Sequence, residues 1–326
     1  MIWRLMNYPY GGVRARAQAT RLLQPRDIAA LAESGSLNRA ETKLESRFPG
    51  GQEALESRLY AGYLDFGRVI LHTLPELSAS LLEAFLQRSW VENLLLLCRA
   101  LSRNPPAEPS PALLPTLEKV PLPDPEKIRT LKDLAGQLPA GPYRQALKRQ
   151  TETNAEPSQA LLENTLLRVF WDVLADRTRQ LPALDRQSVT DSLVRRADID
   201  ALRVLRRGLA AGLDIESIST AWPRQSRLFS SRRLRGIWAA ANPQTALEDL
   251  LQASIPGSES DGPFEIRLRR RLRKVLRRGL LAAPFSVLVP MSALLLKELE
   301  MMSLKGVLGG LRFGLDSEEI RTMAAI

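Results

Sequence analysis

Apolar residues along this chain recur with the spacing of an α-helix, and proline-marked breaks separate the runs. From Leu55 to Leu71 they fall at Leu55, Leu59, Tyr63, Phe66, Val69 and Ile70, forming one face of a helix that Pro75 ends. The stretch Pro157–Thr178 carries Leu161, Leu162, Leu166, Val169, Phe170, Val173 and Leu174, a broader apolar face. The same reading predicts helices at about Val13–Leu23, Pro25–Leu31, Ser78–Arg88, Tyr143–Thr151, Arg232–Ala241, Pro243–Ala253, Phe264–Ala282 and Asp316–Thr322. The Ser78–Arg88 helix runs into another near Trp90, and two helices are expected after Pro182. Val and Ile are sparse and Leu, Ala, Arg and Glu abundant, so the fold class expected is all-α.

One piece of this pattern occurs three times. Val91-Glu92, Ile199-Asp200 and Leu299-Glu300 each pair an apolar residue with an acid. Further apolar residues follow the first by three and five positions: Leu94 and Leu96, Leu202 and Val204, Met302 and Leu304. A proline (Pro75, Pro182, Pro284) lies 16 to 18 residues upstream of each acid. Recurrence in the same order at about one hundred residues argues for three related modules. Asn104 to Glu126 holds eight prolines, which excludes regular helix and predicts an extended connector. A second junction falls at Trp222-Pro223, and Pro256–Gly262 reads as a Gly/Ser/Asp loop. The modules expected are 1–115, 116–222 and 223–326.

Charge then enters, because the chain carries a formal +10 at neutral pH. An acidic partner (nucleic acid, lipid headgroups or another protein) would account for it, and so would an arginine-rich proteome. Arg267–Arg278 has eight basic residues in twelve, with Leu268, Leu272, Val275 and Leu276 at helical spacing. Two readings fit this segment: a structural helix with a cationic outer face, or a nucleic-acid-binding helix. No aromatic side chains interleave the arginines, as base stacking would require.

Candidate chemistry is thin. Cys98 is the one cysteine and sits on an apolar helical stretch, as a buried structural thiol would. The single histidine, His72, has no cysteine ligands to join, so no zinc site is expected. Lys305-Gly306-Val307-Leu308-Gly309-Gly310 has its lysine on the wrong side for a phosphate loop, and its glycines suit close helix packing or a helix end. Glu298 and Glu300, two residues apart, point to different helix faces. No catalytic, cofactor-binding or metal site is expected, nor a small-molecule ligand. The uncharged run Gly279–Leu296 contains Pro284 and Pro290 and is shorter than the roughly 20 residues of a spanning helix, so it reads as two helix ends around a turn. Met1-Ile2-Trp3-Arg4 lacks the apolar run of a secretory signal.

Several stretches together resemble the C subunits of the A/V-type ATPases and ATP synthases, equivalent to the d subunits of the vacuolar enzymes. Tyr10-Gly11-Gly12-Val13-Arg14-Ala15-Arg16 with Leu22-Leu23 is similar to the family's opening helix, and Pro142-Tyr143-Arg144-Gln145-Ala146-Leu147 to the entry of its middle module. Asp198-Ile199-Asp200-Ala201-Leu202-Arg203 resembles its recurrent D-I-E-N-L-K signature, and Pro284-Phe285-Ser286-Val287 with Lys297-Glu298-Leu299-Glu300 its closing stretch. Ala201 and Met301 stand where the family favours the asparagine that Asn93 keeps; Ser303 replaces a basic residue, and a tyrosine near Leu294 is missing. The resemblance implies a pseudo-threefold funnel of three similar helical modules around a central cavity, without a transmembrane helix. It implies a non-catalytic rotor part at the cytoplasmic face of the membrane, between central-stalk subunits of the D and F types and the proteolipid (c/L) ring, passing torque between them. Arg14, Arg16, Arg99, Arg203, Arg206 and Arg207 are then the candidate interface residues; the alternative is that they pair with neighbouring acids.

Overall fold

The protein is described by a computed structural model covering residues 8–50, 54–102, 113–117, 120–153, 158–253, 263–281 and 285–324. It is 76% helix, with no strand among the described residues. In chain order the α-helices are α1 (Pro9–Ala19), α2 (Pro25–Ala32), α3 (Leu37–Glu45), α4 (Leu55–Leu71), α5 (Glu76–Leu86), α6 (Arg88–Leu101), α7 (Leu131–Gln137), α8 (Pro142–Thr153), α9 (Gln159–Gln180), α10 (Ala183–Ala210), α11 (Ile215–Ala221), α12 (Ser231–Trp238), α13 (Pro243–Ala253), α14 (Phe264–Leu280), α15 (Leu288–Arg312) and α16 (Ser317–Met323).

Local chemistry explains where the helices depart from the periodic pattern. The first begins at Pro9, before the expected Val13, because a proline in the first turn has no N–H to leave unpaired. Gly11 lies inside that turn, where an added Cβ would meet Leu74 Cδ2 at 2.9 Å and the Thr73 carbonyl oxygen at 3.0 Å. The two helices expected after Pro182 are one, α10, since no proline or glycine interrupts residues 183–207. Three short helices fall below the reach of periodicity: α3, α7 and α11. Each opens on a side-chain cap, from Ser36, Thr130 and Asp214 respectively. Gly279–Leu296 does hold the end of α14 and the start of α15. The loop Pro256–Gly262, Pro284 and most of the first half of the connector lie outside the described residues.

The chain divides into two compact units. The first takes residues 1–83, 178–195 and 251–326 and is built on α15. This helix is buried on nearly all sides, from Val289 and Met291 through Leu304 and Val307, mostly by apolar residues but with Lys297, Glu298 and Glu300 buried among them. It is surrounded by α14, α1, α4, α16, α2 and α3. Glycines let neighbours approach closely: a Cβ at Gly310 would lie 2.6 Å from Ile320 Cγ1 of α16, and one at Gly306 would lie 3.3 Å from Ala324 Cα. Gly314, with φ of 69°, ends the helix.

The second unit takes residues 84–177 and 196–250. Its core gathers Phe85, Trp90, Leu94 and Cys98 with Leu166, Phe170, Trp171, Leu202 and Leu205, all buried. Phe170 meets Phe85 and Trp171 at ring-centroid distances of 6.1 and 5.6 Å. The described part of the connector is held by α6. The buried Asn93 amide donates to the Leu114 carbonyl (2.9 Å) and accepts from its N–H (2.7 Å), while Trp90 Nε1 donates to the Pro121 carbonyl (3.3 Å). This gives Asn93 a task specific to the first copy of the repeat.

Candidate functional site

The repeated acids lead to an ionic network in the second unit. Asp200 lies in the middle of α10, a stretch buried all round, since Ile199, Leu202 and Val204 on differing sides of the helix are as inaccessible as the acid itself. Its Oδ2 accepts from Arg88 Nη1 at 2.9 Å and from Trp171 Nε1 at 3.0 Å. Its Oδ1 lies 2.9 Å from Arg196 Nη1 and 3.6 Å from Arg203 Nη1. Burial alone would raise this carboxyl's pKa. The Arg196, Arg88 and Arg203 guanidiniums outweigh that and hold it well below the usual carboxylate range. Arg88 also donates to Glu92 Oε1 (3.0 Å) and stacks on Phe170, 5.2 Å from the ring centroid.

A second buried acid, Glu163 on α9, completes the network. Arg99 grips it with two parallel hydrogen bonds, Nε to Oε1 (2.7 Å) and Nη2 to Oε2 (3.1 Å). Arg207 Nε reaches Oε2 at 3.1 Å, and Gln159 Nε2 donates to Oε1 at 2.7 Å. Burial pushes the Glu163 carboxyl up, but Arg99, Arg207 and Gln159 draw it below its ordinary value. The hydrogen bond to Glu163 raises Arg99, whereas burial lowers Arg207 despite the same carboxylate.

The repeat numbering gives this network its order. Arg88 stands four residues before Glu92, and Arg196 four before Asp200. Arg99 stands seven after Glu92, and Arg207 seven after Asp200. Asp200 thus takes the earlier arginine of both copies, and Glu163 the later arginine of both. Equivalent points of α6 and α10 are tied together through two shared, buried carboxylates. Such a network resists relative sliding, since any displacement strips charge from its partner in a dry interior. The third copy differs: the buried Glu300 pairs with Lys297, accepts from the Leu23 N–H (2.6 Å) and lies 3.9 Å from Arg47. Lys297 in turn lies over the Phe48 ring, 5.0 Å from its centroid. Glu300 lines a cleft of about 190 Å³ in the first unit, with Leu22, Leu23, Arg273, Arg277 and Leu296.

Four of the six candidate interface arginines engage acids of their own chain: Arg99 and Arg207 at Glu163, Arg203 near Asp200, and Arg206 at Glu248 (3.2 Å). Their side chains remain between 28% and 37% exposed, so each keeps a solvent-facing part. Arg16 donates to the Leu280 carbonyl at 2.8 Å, and Arg14 to the Tyr10 hydroxyl at 2.6 Å. The other two guanidiniums at Asp200, Arg88 and Arg196, and the acid Glu163 escape the sequence reading. The matching arginine offsets in two copies of the repeat are the signal that could have found the arginines. In α14, Arg267 is buried beside Phe264, Arg269 pairs with Glu265 and Arg273 reaches Ser303, leaving Arg270, Lys274, Arg277 and Arg278 outermost. The cationic segment is therefore partly internal.

Asp200 and Glu163 are held as ionised carboxylates by the surrounding guanidiniums, an arrangement that fixes helices and offers no proton near neutral pH. Among the described residues no group of three or more His, Cys, Asp or Glu side chains is placed to hold a metal ion. No described helix is long and apolar enough to cross a membrane. Burial first, then the neighbouring Glu163 charge, pushes the Cys98 thiol up to about 12.

Residues 13–323 match a family described as ATP synthase (C/AC39) subunit. The chain is also 22% identical, over 349 aligned positions, to a protein named as the C subunit of the A-type ATP synthase of Methanocaldococcus jannaschii; the match spans 99% of this chain and 87% of that one.

Proposed function

We propose that this chain, which belongs to the ATP synthase (C/AC39) subunit family, is the non-catalytic rotor part that joins the central shaft of an A/V-type ATPase or ATP synthase to its proteolipid ring. Three related helical modules, 1–115, 116–222 and 223–326, stand around a pseudo-threefold axis as a funnel whose cavity receives shaft subunits of the D and F types. The chain sits at the cytoplasmic face of the membrane and passes torque between shaft and ring. The partly exposed arginines Arg14, Arg16, Arg99, Arg203, Arg206 and Arg207 contribute to its contacts.

The observation that carries this reading is the sharing of Asp200 and Glu163 between equivalent positions of two repeat helices. A torque coupler must return its load without creeping. Buried bidentate and multi-arginine pairs hold helices in register at a specific geometry, which apolar packing alone does less well. The test is a capture experiment with the full-length chain. Tagged protein retains both the shaft subunits and the detergent-solubilised ring at physiological salt. Capture of neither partner would overturn the proposal.

A further inference from the structure

At one end of the first unit the starts of α1, α5 and α10 meet. The Tyr8 hydroxyl hydrogen-bonds to Ser78 Oγ (2.6 Å) and donates to Asp185 Oδ2 (3.1 Å), and all three side chains are buried. Ser78 and Asp185 are equivalent residues of the repeat, each three positions after its landmark proline, Pro75 or Pro182. Ser286 Oγ donates to Ser188 Oγ at 3.2 Å, and Arg16 anchors the Leu280 carbonyl at 2.8 Å. Beside these buried anchors stand large apolar side chains that the described residues leave uncovered: Leu77 (44% exposed), Leu184 (65%), Leu281 (86%), Tyr10 (63%) and Val13 (61%). Leu77 immediately precedes Ser78, Leu184 precedes Asp185, and Leu281 follows Leu280. Leu77 and Leu184, next in sequence to the two residues that meet at the Tyr8 hydroxyl, are therefore exposed side by side at this end, with Tyr10 two residues from Tyr8.

We infer that this apolar collar is the surface that docks on the proteolipid ring, an inference that rests on the rotor reading above. Leu77 and Leu184 occupy the same repeat position, so the collar repeats an apolar contact, which suits a partner whose own surface repeats around an axis. Fixed buried anchors beneath exposed leucines make a preorganised apolar centre, as docking surfaces require. Charge at the rim specifies the partner further. Arg179, Arg186 and Arg278 are exposed and Arg14 is partly so, against Glu76 as the exposed acid beside Leu77. The facing loops of the ring are accordingly apolar at the centre and carry carboxylates outside it.

The test uses the full-length chain and the detergent-solubilised ring of its own complex, with affinity read by surface immobilisation. L77D/L184D and the milder L77S/L184S are compared with Phe313→Ser, which changes a residue 79% exposed at the far end of α15. The aspartate pair is expected to weaken ring binding at least about tenfold, the serine pair less, and the Phe313 variant not at all. Capture of the shaft subunits stays unchanged in every variant, which also certifies folding. Wild-type protein that fails to bind the ring would overturn the rotor reading along with this inference. Wild-type protein that binds while L77D/L184D and L77S/L184S bind equally well would overturn this inference alone. Self-association, or binding to anionic lipid vesicles without ring, lost in the leucine variants while ring binding persists would assign the collar to a second copy or to lipid and overturn it too.

Discussion

Replacing Asp200 by asparagine isolates the charge at the centre of the network. Asparagine keeps the side-chain shape and one oxygen that can accept from Trp171 Nε1, but it removes the negative charge on which Arg88, Arg196 and Arg203 converge. Arg88 and Arg196 are only 7% and 1% exposed, so water cannot take over the lost partner. Breaking a buried ion pair on one side costs about 3–5 kcal/mol, and the retained acceptor places this variant near 3 kcal/mol. Urea unfolding followed by tryptophan fluorescence reads the right region, because Trp90, Trp171, Trp222 and Trp238 all belong to the second unit. With a slope near 2 kcal/mol per molar urea, the midpoint drops by about 1.5 M. A drop below about 0.5 M with an unchanged slope would refute the reasoning. The triple variant Arg88→Met/Arg196→Met/Asp200→Leu supplies the complement: the two most buried guanidiniums leave together with the carboxylate, and the charges that lose a partner, Arg203 and Glu92, are part-exposed, so it recovers much of the loss.

Other predictions follow from neighbouring groups. Glu163→Gln leaves Arg99 and Arg207 to share a neutral amide, and the partial exposure of both arginines limits the loss to about 1–3 kcal/mol in the same urea assay. Asp200 and Glu163 have folded pKa values below their unfolded ones, so the unfolded chain takes up protons first as pH falls. Their stabilisation is whole at pH 7, begins to fall below about pH 4 and is lost as pH drops through the folded values, a decline that Asp200→Asn flattens in urea midpoints taken between pH 7 and pH 3. Cys98, with its thiol pushed up to about 12, stays unlabelled by a thiol-disulfide reagent at pH 8 in the native protein and reacts at once in urea; rapid native labelling would contradict its burial. Gly310→Ala drives a methyl into Ile320 and lowers stability by about 1–3 kcal/mol, measured by thermal unfolding.

The all-helical class and most long helices are legible because their buried faces impose a spacing that survives sequence drift. α4 and α13 can be read to the residue. The short helices α3, α7 and α11 cannot, since seven to nine residues carry too little periodicity and announce themselves only by a capping Ser, Thr or Asp. The single α10 is expected as two helices after Pro182, although no proline or glycine lies between residues 183 and 207 to part them. Of the ionic network, the acid Asp200 is visible as part of the repeat. Its partners Arg88 and Trp171, like the acid Glu163 that Arg99 and Arg207 share, lie tens of residues from the groups they meet. Only packing brings them together, and each looks alone like an ordinary surface charge or core aromatic. Asn93 illustrates the converse: it stands out in the sequence, and its grip on Leu114 supplies the physical reason.

Coupling itself is the most direct thing to measure. Membrane vesicles bearing the rotary complex, prepared without this chain and then supplied with the purified protein, can be assayed for ATP hydrolysis and for ATP-driven ion uptake, using a proton-responsive dye and a sodium tracer. The rotor account predicts hydrolysis without uptake in its absence and restored uptake once it is added. Uptake that runs equally well without the chain would contradict the account at its root.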